Sequence, residues 1–115
     1  MLNLVDSCGW LEYFADSPQA EFYAGAIEDT KNLLVPTICL LEVFKCILRQ
    51  RKEDAALQAT AVMHQGFIIP LTSELVLEAA KIGKNSNYLW PIASFLRLHV
   101  FTRVSFGHKI FISKF

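Results

Sequence analysis

Three short apolar runs, Leu2-Asn3-Leu4-Val5, Leu33-Leu34-Val35 and Phe67-Ile68-Ile69, are each followed by a longer stretch with helical spacing. This alternation constrains the chain more than any other feature. Near-continuous apolar strands are those buried on both faces, as in parallel sheets. Parallel neighbours in turn require helical crossovers. The sequence therefore predicts an α/β fold with a short parallel sheet and flanking helices, and at 115 residues one domain at most.

The helices can be sketched from spacing and punctuation. Gly9 to Phe14 reads as a helical turn or two. Asp16-Ser17-Pro18 is a turn in which Ser17 can cap a helix running from Pro18 to about Lys31. Asn32 ends it. Pro36 stops the second strand, and Thr37 is placed to cap a helix with Ile38, Leu41, Phe44, Cys46, Ile47 and Leu48 on its apolar face. Arg49, Gln50, Arg51 and Lys52 form its basic end, where cations suit the helix dipole. A further helix opens at Glu53-Asp54 and closes at His64-Gln65-Gly66, Gly66 acting as C-cap. Thr72 caps the last readable helix, which Gly83 stops.

Composition narrows the class of protein. Net charge is zero, so no global field argues for nucleic acid or membrane. No apolar run approaches the roughly 20 residues that cross a bilayer. No basic segment leading into a long apolar stretch opens the chain, so no secretory leader is expected. Cys8, Cys39 and Cys46 are odd in number and lack metal spacing, which reads as small buried hydrophobes in a reducing cytoplasm.

Two carboxylates stand out. Asp6 falls at the carboxyl end of the first strand, where ligands bind in open α/β sheets. Glu42 lies in the first turns of the helix after the second strand. Sequential strands usually neighbour one another, which would bring Glu42 near Asp6. Such a pair could hold a hard cation such as Mg²⁺. On spacing alone Asp6 equally suits a helix cap, and Glu42 a solvated helix residue. His64 reads as a helix-end group. The Arg49, Arg51 and Lys52 cluster reads as a solvated helix end or as a hold on an RNA backbone.

The segments V-D-S-x-G-W-L-E-Y-F (Val5 to Phe14) and V-P-T-I-x-L-x-E-V-F-K (Val35 to Lys45) resemble the PIN-domain ribonucleases, and most closely the VapC toxins of toxin–antitoxin pairs. The likeness continues through Ala55 to Ala59, Gln65-Gly66 and Leu75 to Ile82, covering about residues 1–84. It implies a Rossmann-like sheet, Mg²⁺ or Mn²⁺, endonucleolytic cleavage of RNA, a cognate antitoxin and a homodimer. The first family aspartate corresponds to Asp6, with Ser7 as its hydroxyl neighbour, and the helix glutamate to Glu42.

The resemblance stops where the charge pattern breaks. Residues 1–78 hold all eleven acids, and residues 79–115 hold six Lys or Arg with no acid and no clear periodicity. The family's remaining acids lie in a downstream A-D-S helix motif and a later T-x-D segment, both missing here. Some codons compatible with Leu89 to Phe95, read one base out of register, can give M-A-D-S-I-I. In the same register, codons for Ser105 to Ile110 give L-W-T-Q-D. The chain therefore divides into a PIN-like domain, 1–84, and an aberrant tail, 85–115, out of frame from a point between about Lys84 and Trp90. The C-terminal strands and helix are expected to be replaced or incomplete, and the chain inactive or weakened as a ribonuclease. The alternatives are a non-catalytic antitoxin-binding module and a pseudogene fragment.

Overall fold

The computed structural model describes residues 2–82 and 99–101. Strand β1 (Asn3–Val5) leads into helix α1 (Ser7–Ala15), then α2 (Ala20–Glu28) and a single 3₁₀ turn, Thr30–Asn32. Strand β2 (Leu33–Pro36) leads into α3 (Thr37–Gln50) and α4 (Glu53–Met63). Strand β3 (Phe67–Ile69) leads into α5 (Ser73–Ile82), and β4 (His99–Phe101) completes the described elements. The strands form one sheet in the order β3-β2-β1-β4, and all three pairings are parallel. In register, Leu4 lies between Leu34 and Val100.

The burial pattern explains the apolar strand runs. Leu4, Val5, Leu33 and Val35 are fully or almost fully buried, and they join Trp10, Phe14, Tyr23, Ile47 and Met63 in one hydrophobic cluster. The sequence offers no assignable element in the tail, yet His99–Phe101 supplies β4. β1 is a central strand, so its second edge needs a partner for its backbone groups. Apart from β4, the expected tail lies outside the described residues. Among the described residues, no helix is long and apolar enough to cross a membrane.

Several local expectations are corrected. α2 begins at Ala20 rather than Pro18 and stops at Glu28, because Ser17 Oγ accepts from the Gln19 N–H at 3.2 Å and closes a turn ahead of the helix. Asp16 ends α1 in the left-handed region (φ 53°), a conformation Asp tolerates better than most residues. Thr37 does not cap α3: its hydroxyl instead accepts from the Leu71 N–H at 3.2 Å, tying the loop after β3 to the start of α3. Thr72 does act at the start of α5, accepting from the Leu75 N–H at 3.2 Å. Gly66 is not the C-cap of α4, a position taken by His64. Gly66 instead allows close approach, since a Cβ there would lie 3.0 Å from the Leu33 carbonyl oxygen.

The buried stripe of α3 is Cys39, Val43 and Ile47, each one turn from the next, while Leu41 and Leu48 face out. α4 presents small residues in return, with Ala55, Ala56 and Ala59 buried.

Candidate active site

The site lies at the carboxyl ends of β1 and β2, where each strand passes directly into a helix. Asp6 is the residue between β1 and α1. Its backbone is extended, and its carboxylate accepts from the Cys8 N–H at 3.3 Å, so it caps α1. Ser7, the first residue of α1, is buried and donates its hydroxyl proton to Glu42 Oε1 at 2.8 Å. Glu42 sits in the second turn of α3. One hydrogen bond thus ties the β1–α1 junction to α3, across 35 positions of sequence.

Two thiols report on the charge at this point. Cys39 Sγ lies 3.9 Å from the Val5 carbonyl oxygen, toward which it donates. Burial pushes its pKa from 9.0 up to about 12, against a lowering hydrogen bond with Ser7 and with a further rise from the charges of Glu42 and Asp6. Cys8 is raised as well, first by burial and then by Asp6 and Glu42. Both carboxylates act on both thiols, so they create one region of negative potential.

Among the described residues, no group of three or more His, Cys, Asp or Glu is arranged to hold a metal ion. Two half-buried carboxylates, one capping α1 and one in the second turn of α3, nevertheless suit one kind of cation. Mg²⁺ is commonly bound through one or two carboxylates, keeping waters and substrate phosphate oxygens as its other ligands. The Ser7 bond orients the Glu42 carboxylate.

The other sequence candidates lie elsewhere. Arg49 is in the last turn of α3, Arg51 is its C-cap residue, and Lys52 precedes α4; all are exposed. From Glu42 to Arg49 is about 10 Å along the helix axis, so this cluster is not part of the carboxylate site. His64 Nδ1 lies 2.7 Å from the Thr60 carbonyl oxygen at the end of α4, a helix-end role.

Sequence reasoning missed two features. Cys8 and Cys39 line the carboxylates rather than serving only as core filler; their positions two residues after Asp6 and three before Glu42 were the available signal. Glu12 is buried and hydrogen-bonded to the Ser17 hydroxyl, and nothing in its spacing marked it.

The family model of the PIN domain matches residues 4–98. The chain belongs to the PIN domain family, and its described α/β fold with a short parallel sheet is PIN-like. Among solved structures it is similar to VapC20 of Mycobacterium tuberculosis, described as a Sarcin-Ricin loop cleaving toxin. That likeness has a TM-score of 0.61 at 12% identity, covering 82% of this chain and 79% of the other. It is a likeness of fold, and it makes the scaffold VapC-like. No curated protein matches the chain closely enough to count as similar.

Proposed function

We propose that this chain carries the scaffold of a VapC-like endoribonuclease toxin, with Asp6 and Glu42 as its metal-holding and catalytic carboxylates. The observation that carries this reading is the Ser7–Glu42 hydrogen bond of 2.8 Å, which joins the two βα junctions in a PIN fold. Ser7 holds the Glu42 carboxylate toward the β1 end, and Asp6 is fixed by its own cap on α1. Mg²⁺ or Mn²⁺, when bound, would generate a hydroxide and offset phosphate charge in phosphodiester cleavage. The partners of this reading are an RNA substrate, a cognate antitoxin, a second copy in a homodimer and no membrane, in a cytoplasmic setting.

With two carboxylates in place of the family's larger set, cation affinity and turnover are weakened. We attribute the shortfall to a change of reading frame between about Lys84 and Trp90, which makes residues 85–115 an aberrant tail. The test is RNA cleavage by the full chain with Mg²⁺, with EDTA, and with Asp6→Asn or Glu42→Gln. The expected result is slight cleavage, lost in EDTA and in either variant, and strong cleavage from a gene whose frame restores the A-D-S and T-x-D motifs. Vigorous cleavage that survives EDTA or Asp6→Asn would overturn the assignment.

A second reading is a non-catalytic module that binds the antitoxin. It is favoured by Leu41 and Leu48 on α3 and Leu57 on α4, which are 53%, 43% and 51% exposed. Retention of an antitoxin by a chain that cleaves nothing would select it.

A further inference from the structure

The corner between α3 and α4 carries groups that the carboxylate site does not use. Gln50, Arg51, Lys52, Asp54, Ala55 and Gln58 line an open groove of about 510 Å³. Charge around it is uneven. Lys45, Arg49, Arg51 and Lys52 fall within eight residues, and no acid lies between Glu42 and Glu53. Among the described residues Lys81 pairs with Glu78, and no ion pair engages Lys45, Arg49 or Lys52. Residues 2–82 together hold eleven acids against six Lys and Arg. A polyanion is therefore repelled by most of this surface and attracted at this corner.

The geometry gives the cations a direction. Lys45 lies just beyond Glu42, and Arg49 comes one turn later, about 6 Å along the axis. The exposed cations run from the turn after Glu42 to the groove, a path a single strand can take.

The groove's polar groups then favour a particular base. Gln50 and Gln58 are exposed amides, each with donor and acceptor groups. A side-chain amide pairs with the N6/N7 edge of adenine. Asp54 only accepts, and adenine's exocyclic amine can donate to it. Uracil offers carbonyl oxygens where that amine would be, which a carboxylate repels.

We propose that the α3–α4 groove is a nucleotide subsite for single-stranded RNA, taking an adenine base with adjoining phosphates on Arg49 and Lys52. It rests on the ribonuclease-scaffold reading and adds to it a place where the RNA is held and read.

The test is fluorescence anisotropy on the full chain carrying Asp6→Asn, in EDTA, with labelled oligoadenylate and oligouridylate of equal length. The adenylate is expected to bind about fivefold tighter, the lower end of discrimination by one well-made amide pair. Gln50→Leu with Gln58→Leu lowers that ratio and leaves the uridylate affinity unchanged. Arg49→Gln and Lys52→Gln weaken both RNAs, and each lowers the salt slope by about 0.7. Equal affinities for the two RNAs, a ratio undiminished in the glutamine variants, or an unchanged salt slope overturns the proposal. Displacement of adenylate by polyglutamate as readily as by uridylate assigns the corner to an acidic protein and overturns it too.

Binding is read without metal, so a chain that cleaves nothing can still bear out the subsite. Cleavage without adenine preference sinks the subsite alone.

Discussion

Replacing Gly9 by Ala should loosen the whole fold, although it puts a better helix former inside a helix. Gly9 is the third residue of α1 and is buried. A Cβ at this position would lie 2.6 Å from Tyr23 Cδ1 and Cε1 and 2.7 Å from Val5 Cγ1, against an ordinary contact of 3.4–4 Å. Tyr23 and Val5 are both 0% exposed, so neither can swing into solvent. Helix propensity favours Ala by about 1 kcal/mol. Overpacking costs about 1–3 kcal/mol, and two rigid buried neighbours put this site at the upper end. The balance is a loss of about 1–2 kcal/mol, or a melting temperature lower by about 5–15 °C in a domain of this size.

Gly25 is the control. It is exposed in α2 with nothing within 4 Å of its added Cβ, so Gly25→Ala should stabilise by about 0.5–1 kcal/mol. Urea midpoints at constant slope read both changes. Adding Val5→Ala to Gly9→Ala removes one of the two collisions, so the double variant should lose less than the sum of the singles. Gly9→Ala at or above the parent midpoint would refute the account of how α1 meets α2 and β1.

Ser7→Ala removes the hydroxyl that bonds a carboxylate at 2.8 Å and should cost about 1–2 kcal/mol in a urea titration; no change would show that the two junctions do not depend on it. Cys39 gives a pH signature. Its thiol pKa is raised in the folded state from 9.0 to about 12, so its contribution is fully present below pH 9 and declines as pH rises toward 12. The decline is on the order of 1.4 kcal/mol per pH unit, with the raised thiol of Cys8 acting in the same direction. Cys39→Ala should flatten part of that fall in urea midpoint, and an undiminished slope would refute it. Thr37→Val deprives the Leu71 N–H of its acceptor and should cost about 1 kcal/mol, with faster proteolysis after β3 as the readout; unchanged cleavage would refute the tether.

The strands and the approach of the β1–α1 junction to α3 were legible because both derive from order alone. Ser7 follows β1 closely, Glu42 lies in the second turn of the helix after β2, and neighbouring parallel strands bring such junctions together. The inward side of α3 was not legible. Ile38 to Phe44 is apolar apart from Glu42, so periodicity alone picks no face. The buried side is Cys39, Val43 and Ile47, which join the common core, with Cys39 against the Val5 carbonyl of β1. Thr37 misled for a related reason: a Thr after Pro reads as a cap, while its true partner, Leu71, lies 34 residues away.

The same topology limits how many acids the site can gather. Carboxylates can approach the β1–α1 junction when they lie in the opening turns after a strand that neighbours β1. β2 is one such neighbour, and it supplies Glu42. β3 is at the edge, two strands away, roughly 10 Å from β1 at about 4.8 Å per strand. Glu74, in the first turn after β3, is therefore too distant to join the pair. The remaining neighbour is β4, and the chain beyond it reads Thr102-Arg103, with no acid from there to Phe115. A larger cage thus needs an acid close after β4, where this sequence has none. Restoring an acid after β4 is for that reason a more direct route to a stronger cation site than adding acids to α5.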